Sequence, residues 1–378
     1  MRILLVGEYS RLHNSLKEGL TALGHEVTLV GSGDGFKKFP VDITLERGYT
    51  SGWKKKLKLS ILKLTGIDIS EKSLRNHFTK LKPQLSGYDV VQLINESSFN
   101  TTPSLELEIA QYLKAHNKKL FLLSCGTDHI SVTHAFTDEL PYTIATPYKE
   151  GKLTKTSFAP ALKYLAPAYK KLHTALYKLV DGVIATDLDY HFPLKDHRLY
   201  KGLIPNPINV NKIPKQEIAF TYPITIFHGI NRNNYYKKGN DLFEQALAII
   251  SKKYNEKVNI ITTENLPYDE YITAYNKAHI VLDQVYAHDQ GYNALESMAK
   301  DKVVFTGAGT HFKAQYKLDK TVAIDATPDV NEIVANLEKL IASPALLEEI
   351  SENAHHFIKT HHHYTKVAQQ YLKTWQAT

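Results

Sequence analysis

The sequence has little cysteine, no long apolar run and no low-complexity tract, and each absence excludes a class of protein. A single cysteine, Cys125, cannot form an internal disulfide framework and fits a reducing cytoplasm. A membrane-spanning helix needs about 18 or more consecutive apolar residues, and no such run occurs. The opening residues MRILLVG resemble a first buried strand and lack the pattern of a secretory signal peptide. We therefore expect a globular protein of the cytoplasm.

The excess of positive charge is confined to the first half of the chain. Residues 1–200 contain 27 Lys and Arg against 20 Asp and Glu, a difference of +7, whereas residues 201–378 contain 19 of each. We therefore expect an anionic partner to meet the first half. The basic segments 52–69 and 167–179 are each either membrane-surface helices or ordinary helices with their apolar faces packed inward. Nucleic acid is not expected, because no recognition motif accompanies the charge.

Apolar runs alternate with helical patterns along the chain, and this alternation predicts an α/β fold with two doubly wound, Rossmann-like domains. Runs rich in Val, Ile and Leu and bounded by turn residues are typical of parallel strands buried on both faces. We predict a first domain over 1–203, a linker rich in Pro and Asn over 204–218 and a second domain over 219–360. The last segment, 361–378, is predicted to be helical. Ligands are expected in the cleft beyond the carboxyl ends of the strands.

The first strand-to-helix turn, VGEYSR, has one glycine where a dinucleotide-binding fingerprint needs three. Glu8 and Tyr9 would obstruct the approach of a pyrophosphate to the backbone, so NAD and FAD are not expected. Gly7 itself is either a tight strand-to-helix turn or part of the lining of the cleft.

The segment FHGINRNNYYKKGNDLFEQAL predicts a helix that begins at Asn240 or Asp241. Lys237 and Lys238 would then lie beside a helix N-terminus, where lysine is unfavourable unless an anion joins it. Together with Arg232 they form either a phosphate receptor or a solvated basic loop.

The segment HDQGYNALESMAKDKVVFTG, residues 288–307, has two interpretations. In one, Asn293 caps a helix and Glu296, three residues later, completes a capping box. In the other, the GYNA segment offers backbone amides to a phosphate while Glu296 accepts hydrogen bonds from both hydroxyls of a ribose.

Together, NRNNYYKKG and GYNALESMAKDKVVFTG resemble the retaining GT-B glycosyltransferases of family 4, also called group 1 glycosyltransferases. The resemblance implies that Arg232 and Lys238 grip the donor diphosphate and that Glu296 holds the donor ribose. It implies a donor site that also includes Gly7, Gly229, Asp289, Gly291, Tyr292, Asn293 and Ala294.

One position departs from the family pattern. The family has a first glutamate eight residues before the position of Glu296, and this sequence has His288 there with Asp289 beside it. Either Asp289 takes the place of the glutamate after a one-residue shift of the loop, or His288 contacts the sugar or the donor phosphate. The preceding Asp283 and Gln284 resemble a bacterial subgroup of the family.

The resemblance extends over most of the chain. RILLVGEYSRLHNSLKEGL resembles the acceptor-side domain, LIPNPIN the interdomain linker, and the last helix, near Trp375, is expected to cross back to the first domain. In LFLLSCGTDHI, Asp128 either orients or deprotonates the acceptor hydroxyl, or forms a turn or cap at the strand end. Cys125 is not expected to be a nucleophile, because no histidine partner pattern supports it.

The implied reaction moves a sugar from a UDP- or GDP-linked donor to a carbohydrate or lipid-linked glycan acceptor, with retention, in bacterial surface glycan assembly. A GT-B nucleotide-sugar epimerase and a non-catalytic nucleotide-sugar-binding protein remain alternatives. Metal and other cofactors are not expected, because no Asp-x-Asp metal-diphosphate motif is recognised in the sequence and the histidines of HHFIKTHHHY lack metal-ligand spacing. The basic first domain is expected at the inner face of the membrane.

Overall fold

The protein contains two parallel β-sheets, one in each half of the chain. The computed structural model describes residues 1–32, 39–65, 68–213, 218–264 and 268–378. Positions 66–67 of the basic segment and 214–217 of the predicted linker therefore lie outside the described residues.

The first sheet has seven strands within the described ranges, in the order β3-β2-β1-β4-β5-β6-β7. These strands, β1 to β7, are Arg2–Val6, Glu26–Gly31, Ile43–Thr44, Val90–Leu93, Lys119–Ser124, Gly182–Ala185 and Tyr200–Leu203. The second sheet has five described strands, in the order β12-β11-β10-β8-β9. Strands β8 to β12 are Ile224–Ile230, Val258–Glu264, Ile280–Leu282, Val303–Thr306 and Ile324–Asp325.

Helices connect the strands and cover the sheets. In the first half, α1 to α9 are Leu12–Ala22, Gly52–Thr65, Ile69–Leu81, Pro103–His116, His129–Ala135, Thr146–Lys149, Lys155–Leu162, Pro167–Leu179 and Leu188–Leu194. In the second half, α10 to α17 are Tyr235–Lys238, Asn240–Lys253, Tyr268–Asn276, Tyr292–Ala299, Thr310–Tyr316, Val330–Ala342, Pro344–Phe357 and Tyr364–Ala377.

The central strands are buried on both faces, as their continuous apolar sequences predict. In β4 and β6 every residue is buried, and in β1 only Arg2 is exposed. All the strand pairs are parallel, so the connecting helices must cross over the sheets. The predicted pair of Rossmann-like, doubly wound domains is confirmed.

The last helix packs on the first domain, although it follows the second domain in sequence. In α17 the side chain of Trp375 is fully buried, and its Nε1 donates a hydrogen bond to Gln92 Oε1 of β4 at 3.1 Å. Lys119 Nζ of β5 donates to the Trp375 carbonyl oxygen at 2.8 Å. The first domain is therefore built from both ends of the chain.

A π-helical segment, Ile358–His362, joins α16 to α17 beside the linker between the domains. Here His362 is buried, and its Nδ1 donates to the carbonyl oxygen of Asn206 at 2.8 Å. Burial lowers the pKa of His362 to about 4, so the ring is neutral at physiological pH. This histidine of the HHFIKTHHHY segment therefore holds the crossing helix to the linker.

No helix in the described part of the chain is long and apolar enough to span a membrane.

Candidate active site

In the second sheet the order of the strands reverses between β8 and β10. The loops that follow these two strands form the candidate site. Strand β8 pairs with β9 on one side and with β10 on the other. Loops diverge above such a point and leave a crevice at the carboxyl ends of the strands, where parallel α/β sheets bind ligands.

A hydrogen-bonded network joins the two loops across this crevice. Lys238 Nζ, from the loop after β8, donates to Asp283 Oδ1 at 2.9 Å, and Asn293 Nδ2 donates to the same oxygen at 3.2 Å. The Asp283 side chain is 1% exposed, whereas that of Lys238 is 33% exposed. The buried carboxylate therefore fixes a lysine whose ammonium group still reaches the crevice.

The backbone around Lys238 is held as firmly as its side chain. The short helix α10 ends at Lys238, and α11 begins at Asn240, as the sequence predicts, with Gly239 between them at φ 74°. The Lys238 carbonyl oxygen accepts a hydrogen bond from Val285 N at 3.0 Å. Asn240 Oδ1 accepts one from His228 Nε2 at 2.8 Å. The loop is thus tied to β8 and to the segment after β10.

Gly239→Ala is expected to lower the free energy of unfolding by about 2–4 kcal/mol. A Cβ at this residue would lie 2.6 Å from Val285 Cβ, and φ is positive, so steric overlap adds to backbone strain. Gly24→Ala is the matched control, because Gly24 has φ +82° with no atom within 4 Å of an added Cβ. Urea unfolding should show a loss of only about 1 kcal/mol for the control. Equal losses of unfolding free energy in Gly239→Ala and Gly24→Ala would mean that the overlap with Val285 does not destabilise the protein.

Arg232 has a different partner from Lys238. Its Nε and Nη2 donate to the two carboxylate oxygens of Glu264 at 2.7 and 2.6 Å, and its guanidinium lies 4.7 Å from the centre of the Tyr235 ring. This side-on pairing leaves Nη1 available to bind a phosphate. Arg232 is half exposed at the start of the loop after β8, where Glu264, the last residue of β9, orients its guanidinium.

Helix α13 faces the same crevice with its N-terminus. Its N-cap is Gly291, without a side-chain cap, and Asn293 lies inside the helix and bonds to Asp283. The capping-box interpretation of Asn293 and Glu296 is therefore wrong. In the described part of the chain the N–H groups of residues 291–294 have no acceptor, so their partial positive charge is available to an anion. Glu296 is half-buried one turn further along.

His288 and Asp289 contact the first domain. The backbone N–H of His288 donates to Asp189 Oδ2 at 3.1 Å, and its Nε2 donates to the carbonyl oxygen of Tyr142 at 2.9 Å. Asp289 Oδ2 accepts from the N–H of Leu188 at 3.1 Å, and both side chains are buried. These two residues of the loop between β10 and α13 therefore join the domains.

Three carboxylates lie near one another at this junction, the buried one of Asp289 and the partly buried ones of Asp187 and Asp189. Asp187 and Asp189 follow β6 and form an Asp-x-Asp sequence on the acceptor side that the sequence analysis missed. Burial, reinforced by neighbouring carboxylates, raises the pKa of Asp187, and burial raises that of Asp189. Burial, with the charge of Asp189, raises the pKa of Asp289 to about 7. No group of three or more possible metal ligands lies within the described ranges.

Tyr292 connects the donor-side helix to the first domain and the linker. Its hydroxyl donates to the carbonyl oxygen of Pro207 at 2.9 Å and lies 2.6 Å from Ser15 Oγ of α1. Because a carbonyl oxygen can only accept, the tyrosine proton points to Pro207 and Ser15 donates to Tyr292. The Tyr292 ring is buried, so its side chain is a link between domains, while its backbone N–H faces the crevice.

The acceptor-side residues proposed from sequence have structural partners. Asp128 is the N-cap of α5 and forms a capping box with Ser131, and its Oδ2 accepts from Ser124 Oγ at 2.5 Å. Gly7 is buried at φ 86°, and a Cβ there would lie 2.4 Å from Ile94 Cγ2. The geometry thus favours the cap for Asp128 and the tight turn for Gly7. Burial raises the pKa of Cys125, which keeps its thiol protonated.

The structure brings Lys238, Asn293 and the N-terminus of α13 together, with Arg232 at the start of the loop after β8. Gly229 lies within β8 just before this loop. Sequence analysis missed the contribution of Tyr142 and of Gln290, whose Nε2 donates to the Gly307 carbonyl oxygen at 2.6 Å and braces the donor loop. The polar run HDQ, in the loop after a buried strand, was the sequence signal that could have identified Gln290.

Part of the chain is similar to a known protein family, and the whole fold is similar to solved structures. Residues 233–373 match a family model described as glycosyl transferase-like. No curated protein gives a significant sequence match. Among solved structures, sucrose-phosphate synthase from Thermosynechococcus elongatus is 15% identical with a TM-score of 0.60, covering 100% of this chain and 98% of that chain.

Two further structures share the architecture over nearly the whole chain. HepE of Anabaena in complex with UDP-glucose is 11% identical, with a TM-score of 0.58 and complete coverage of both chains (100%). A putative UDP-N-acetylglucosamine 2-epimerase from Listeria monocytogenes is 10% identical, with a TM-score of 0.54, covering 98% of this chain and 94% of that chain. At these identities the likeness shows the fold, which is GT-B.

Proposed function

We propose, from the premise that the protein is a glycosyltransferase with the GT-B fold, that it transfers a sugar from a UDP-sugar to a glycan or lipid-linked acceptor with retention of configuration. The observation that supports the donor class best is the network of Lys238, Asp283 and Asn293 beside the N-terminus of α13. A cation and a helix N-terminus that face one crevice form a receptor for a diphosphate.

The departure of a nucleoside diphosphate leaves negative charge on the phosphate oxygens, and this charge has to be stabilised in the transition state. In the proposed mechanism Lys238 neutralises it directly, while the N–H groups of residues 291–294 donate hydrogen bonds to it. Asp283 keeps Lys238 in place before the donor arrives, so no reorganisation is needed when charge develops. Glu296, on the following turn, holds the ribose.

We choose UDP as the nucleotide because HepE of Anabaena, which has the same fold, was solved in complex with UDP-glucose. Retention is supported by the resemblance of the donor-side segments to family 4. His288 and Asp289 occupy the place of the family's first glutamate, and their contacts with the first domain support a role in closing the cleft rather than in gripping the sugar. A closed cleft excludes water and suppresses hydrolysis of the donor.

The test of the donor site is a thermal-shift screen against UDP, GDP, CMP, dTDP and NAD. A ligand at 100 times its Kd stabilises a protein by about 2.7 kcal/mol, and we expect a selective shift with UDP. Arg232→Ala should abolish most of the shift, because the guanidinium Nη1 would be lost. Glu264→Gln is the matched control, since it keeps the cation and removes only its ion pair. Equal shifts in Arg232→Ala and the wild type would remove Arg232 from the site.

The reaction itself is tested by incubating the protein with UDP-sugars, with and without glycan acceptors, and determining the anomeric configuration of the product by NMR. An altered nucleotide sugar formed without acceptor would identify an epimerase instead. We propose that transfer needs no metal, so activity in EDTA should equal activity in Mg²⁺. We also propose a cytoplasmic enzyme working at the inner face of the membrane on surface-glycan intermediates.

A further inference from the structure

Helix α2, Gly52–Thr65, exposes large apolar side chains that a stable protein surface normally covers. Trp53 is 70% exposed and Leu64 is 84% exposed, and Leu57, Leu59 and Leu62 are exposed as well. Trp53, Leu57 and Leu64 are spaced by four and seven residues, so they lie along one side of the helix. Contiguous apolar surface of this kind indicates an interaction site.

The same helix is strongly basic and contains no acidic residue. Its five lysines are Lys54, Lys55, Lys56, Lys58 and Lys63. Lys58 Nζ pairs with Asp68 at 3.3 Å, whereas the other four form no ion pair within the part of the chain that the structure describes. An apolar stripe flanked by unpaired lysines is complementary to an anionic lipid surface, where the lysines meet the head groups and the apolar side chains enter below them.

Helix α2 is joined to α3, and α3 is joined to the loop that follows β4. Lys58 binds Asp68, which caps α3, and Glu71 in the first turn of α3 accepts a hydrogen bond from Thr102 Oγ1 at 2.9 Å. Thr102 belongs to the loop that follows β4, at the carboxyl edge of the first sheet. Helix α2 is thus connected through α3 to the carboxyl edge of the first sheet.

The second basic segment of the sequence behaves differently. In α8 the apolar residues Leu172, Leu176 and Tyr177 are buried in the first domain, while Lys170 and Lys171 are exposed. For this segment the ordinary interpretation, a surface helix packed inward, is the correct one. It provides lysines without an apolar stripe, and hence a control for charge alone.

We propose that α2 docks the protein on an anionic membrane surface, with Trp53, Leu57 and Leu64 inserted among the lipids and the lysines against the head groups. This surface would provide the membrane contact that the proposed function places at the inner face of the membrane, and it does not depend on sugar transfer, because docking needs no substrate.

The test is cosedimentation of the full chain with phosphatidylcholine vesicles, with and without phosphatidylglycerol. The wild type should bind only the anionic vesicles. A variant with Lys54, Lys55 and Lys56 changed to Gln should bind roughly 100-fold more weakly, since each basic side chain near an anionic surface strengthens binding about fivefold. A variant with Trp53, Leu57 and Leu64 changed to Ser should lose most of the binding that remains in high salt, because salt screens only the charges.

A variant with Lys170 and Lys171 changed to Gln is the matched control and should bind as the wild type does. Unchanged melting temperatures will show that each variant folds, since all the altered side chains are exposed. Failure of the wild type to bind, or equal losses in α2 and α8 variants, would overturn the proposal. So would a dimer in sedimentation velocity that the Ser variant dissolves, because a second copy would then cover α2. Loss of sugar transfer without loss of vesicle binding would count only against the proposed function.

Discussion

Lys238→Ala is expected to reduce turnover about 100- to 1,000-fold, the range that follows the loss of one preorganised donor to a developing anion. The physical reason is that Lys238 supplies the positive charge next to the leaving diphosphate, and Asp283 already holds it there. The measurement is kcat with a UDP-sugar at saturating concentration. The affinity for UDP should fall as well, because the product bears the same charge.

The same substitution has a second effect that must be separated from the first. It leaves the carboxylate of Asp283 buried without its cation, and breaking a buried ion pair typically costs about 3–5 kcal/mol. Because Asn293 still donates to Asp283, we expect a loss of about 2–3 kcal/mol of unfolding free energy.

The double variant Lys238→Ala with Asp283→Asn is the matched control. It removes the unpaired charge, so stability should recover while turnover stays low. If turnover recovers with stability, Lys238 has only a structural role and the diphosphate site lies elsewhere.

Asp289→Asn is expected to gain about 2–4 kcal/mol of stability relative to the wild type as the pH rises from 4 to 8. This gain adds to a loss of about 1 kcal/mol at every pH, because the amide nitrogen of Asn cannot accept one of the two backbone hydrogen bonds that the carboxylate receives. The Asp289 pKa is about 7 in the folded protein, raised by burial and by Asp189, against 3.8 for an ordinary aspartate. A raised pKa contributes stability that is complete below about pH 4 and is lost as pH rises through 7. Each pKa unit corresponds to about 1.4 kcal/mol.

The difference between variant and wild type is the quantity to measure, by urea unfolding from pH 4 to pH 8. Buried His13 and His362 have pKa values lowered to about 4, so they add a slope of the opposite sign that cancels only in a difference. Asp138→Asn, at a fully exposed carboxylate, supplies the reference for exchanging this side chain. A difference for Asp289→Asn that does not change with pH would mean that the carboxylates at the junction ionise normally.

The central strands and one edge strand, β9, could be predicted from the sequence, whereas the other three edge strands could not. The apolar runs that predict strands are RILLVG, EVTLVGS, DVVQLIN, KLFLLSC, DGVIATD, PITIFHG, VNIITTE, HIVLDQV and KVVFTG. Each contains a strand, and the central ones are rich in apolar residues because both of their faces are covered. The strands that were missed, β3, β7 and β12, all lie at sheet edges. Two of them contain only two residues, and β7 is incompletely buried, so none has the apolar run that marks a central strand.

In the candidate site, too, the features set by local sequence could be predicted, and those set by contacts between distant residues could not. The start of α11 at Asn240 follows from local sequence, and the loop of Lys238 could be identified. Asn293 was interpreted as a cap from its residue type, but a hydrogen bond to Asp283 engages its side chain inside the helix. The pairings of Lys238 with Asp283 and of His288 with Asp189 join residues far apart in sequence. They depend on strand order and domain orientation, which no local pattern encodes.

The burial of Trp375 of α17 against β4 and β5 has a consequence for the order in which the protein is made. A ribosome completes residues 1–203 long before it reaches α17, yet the first domain lacks one of its covering helices until then. Helix α17, residues 364–377, therefore completes the fold of the domain that was synthesised first. Part of the apolar surface of the nascent first domain therefore stays uncovered while the second domain is translated.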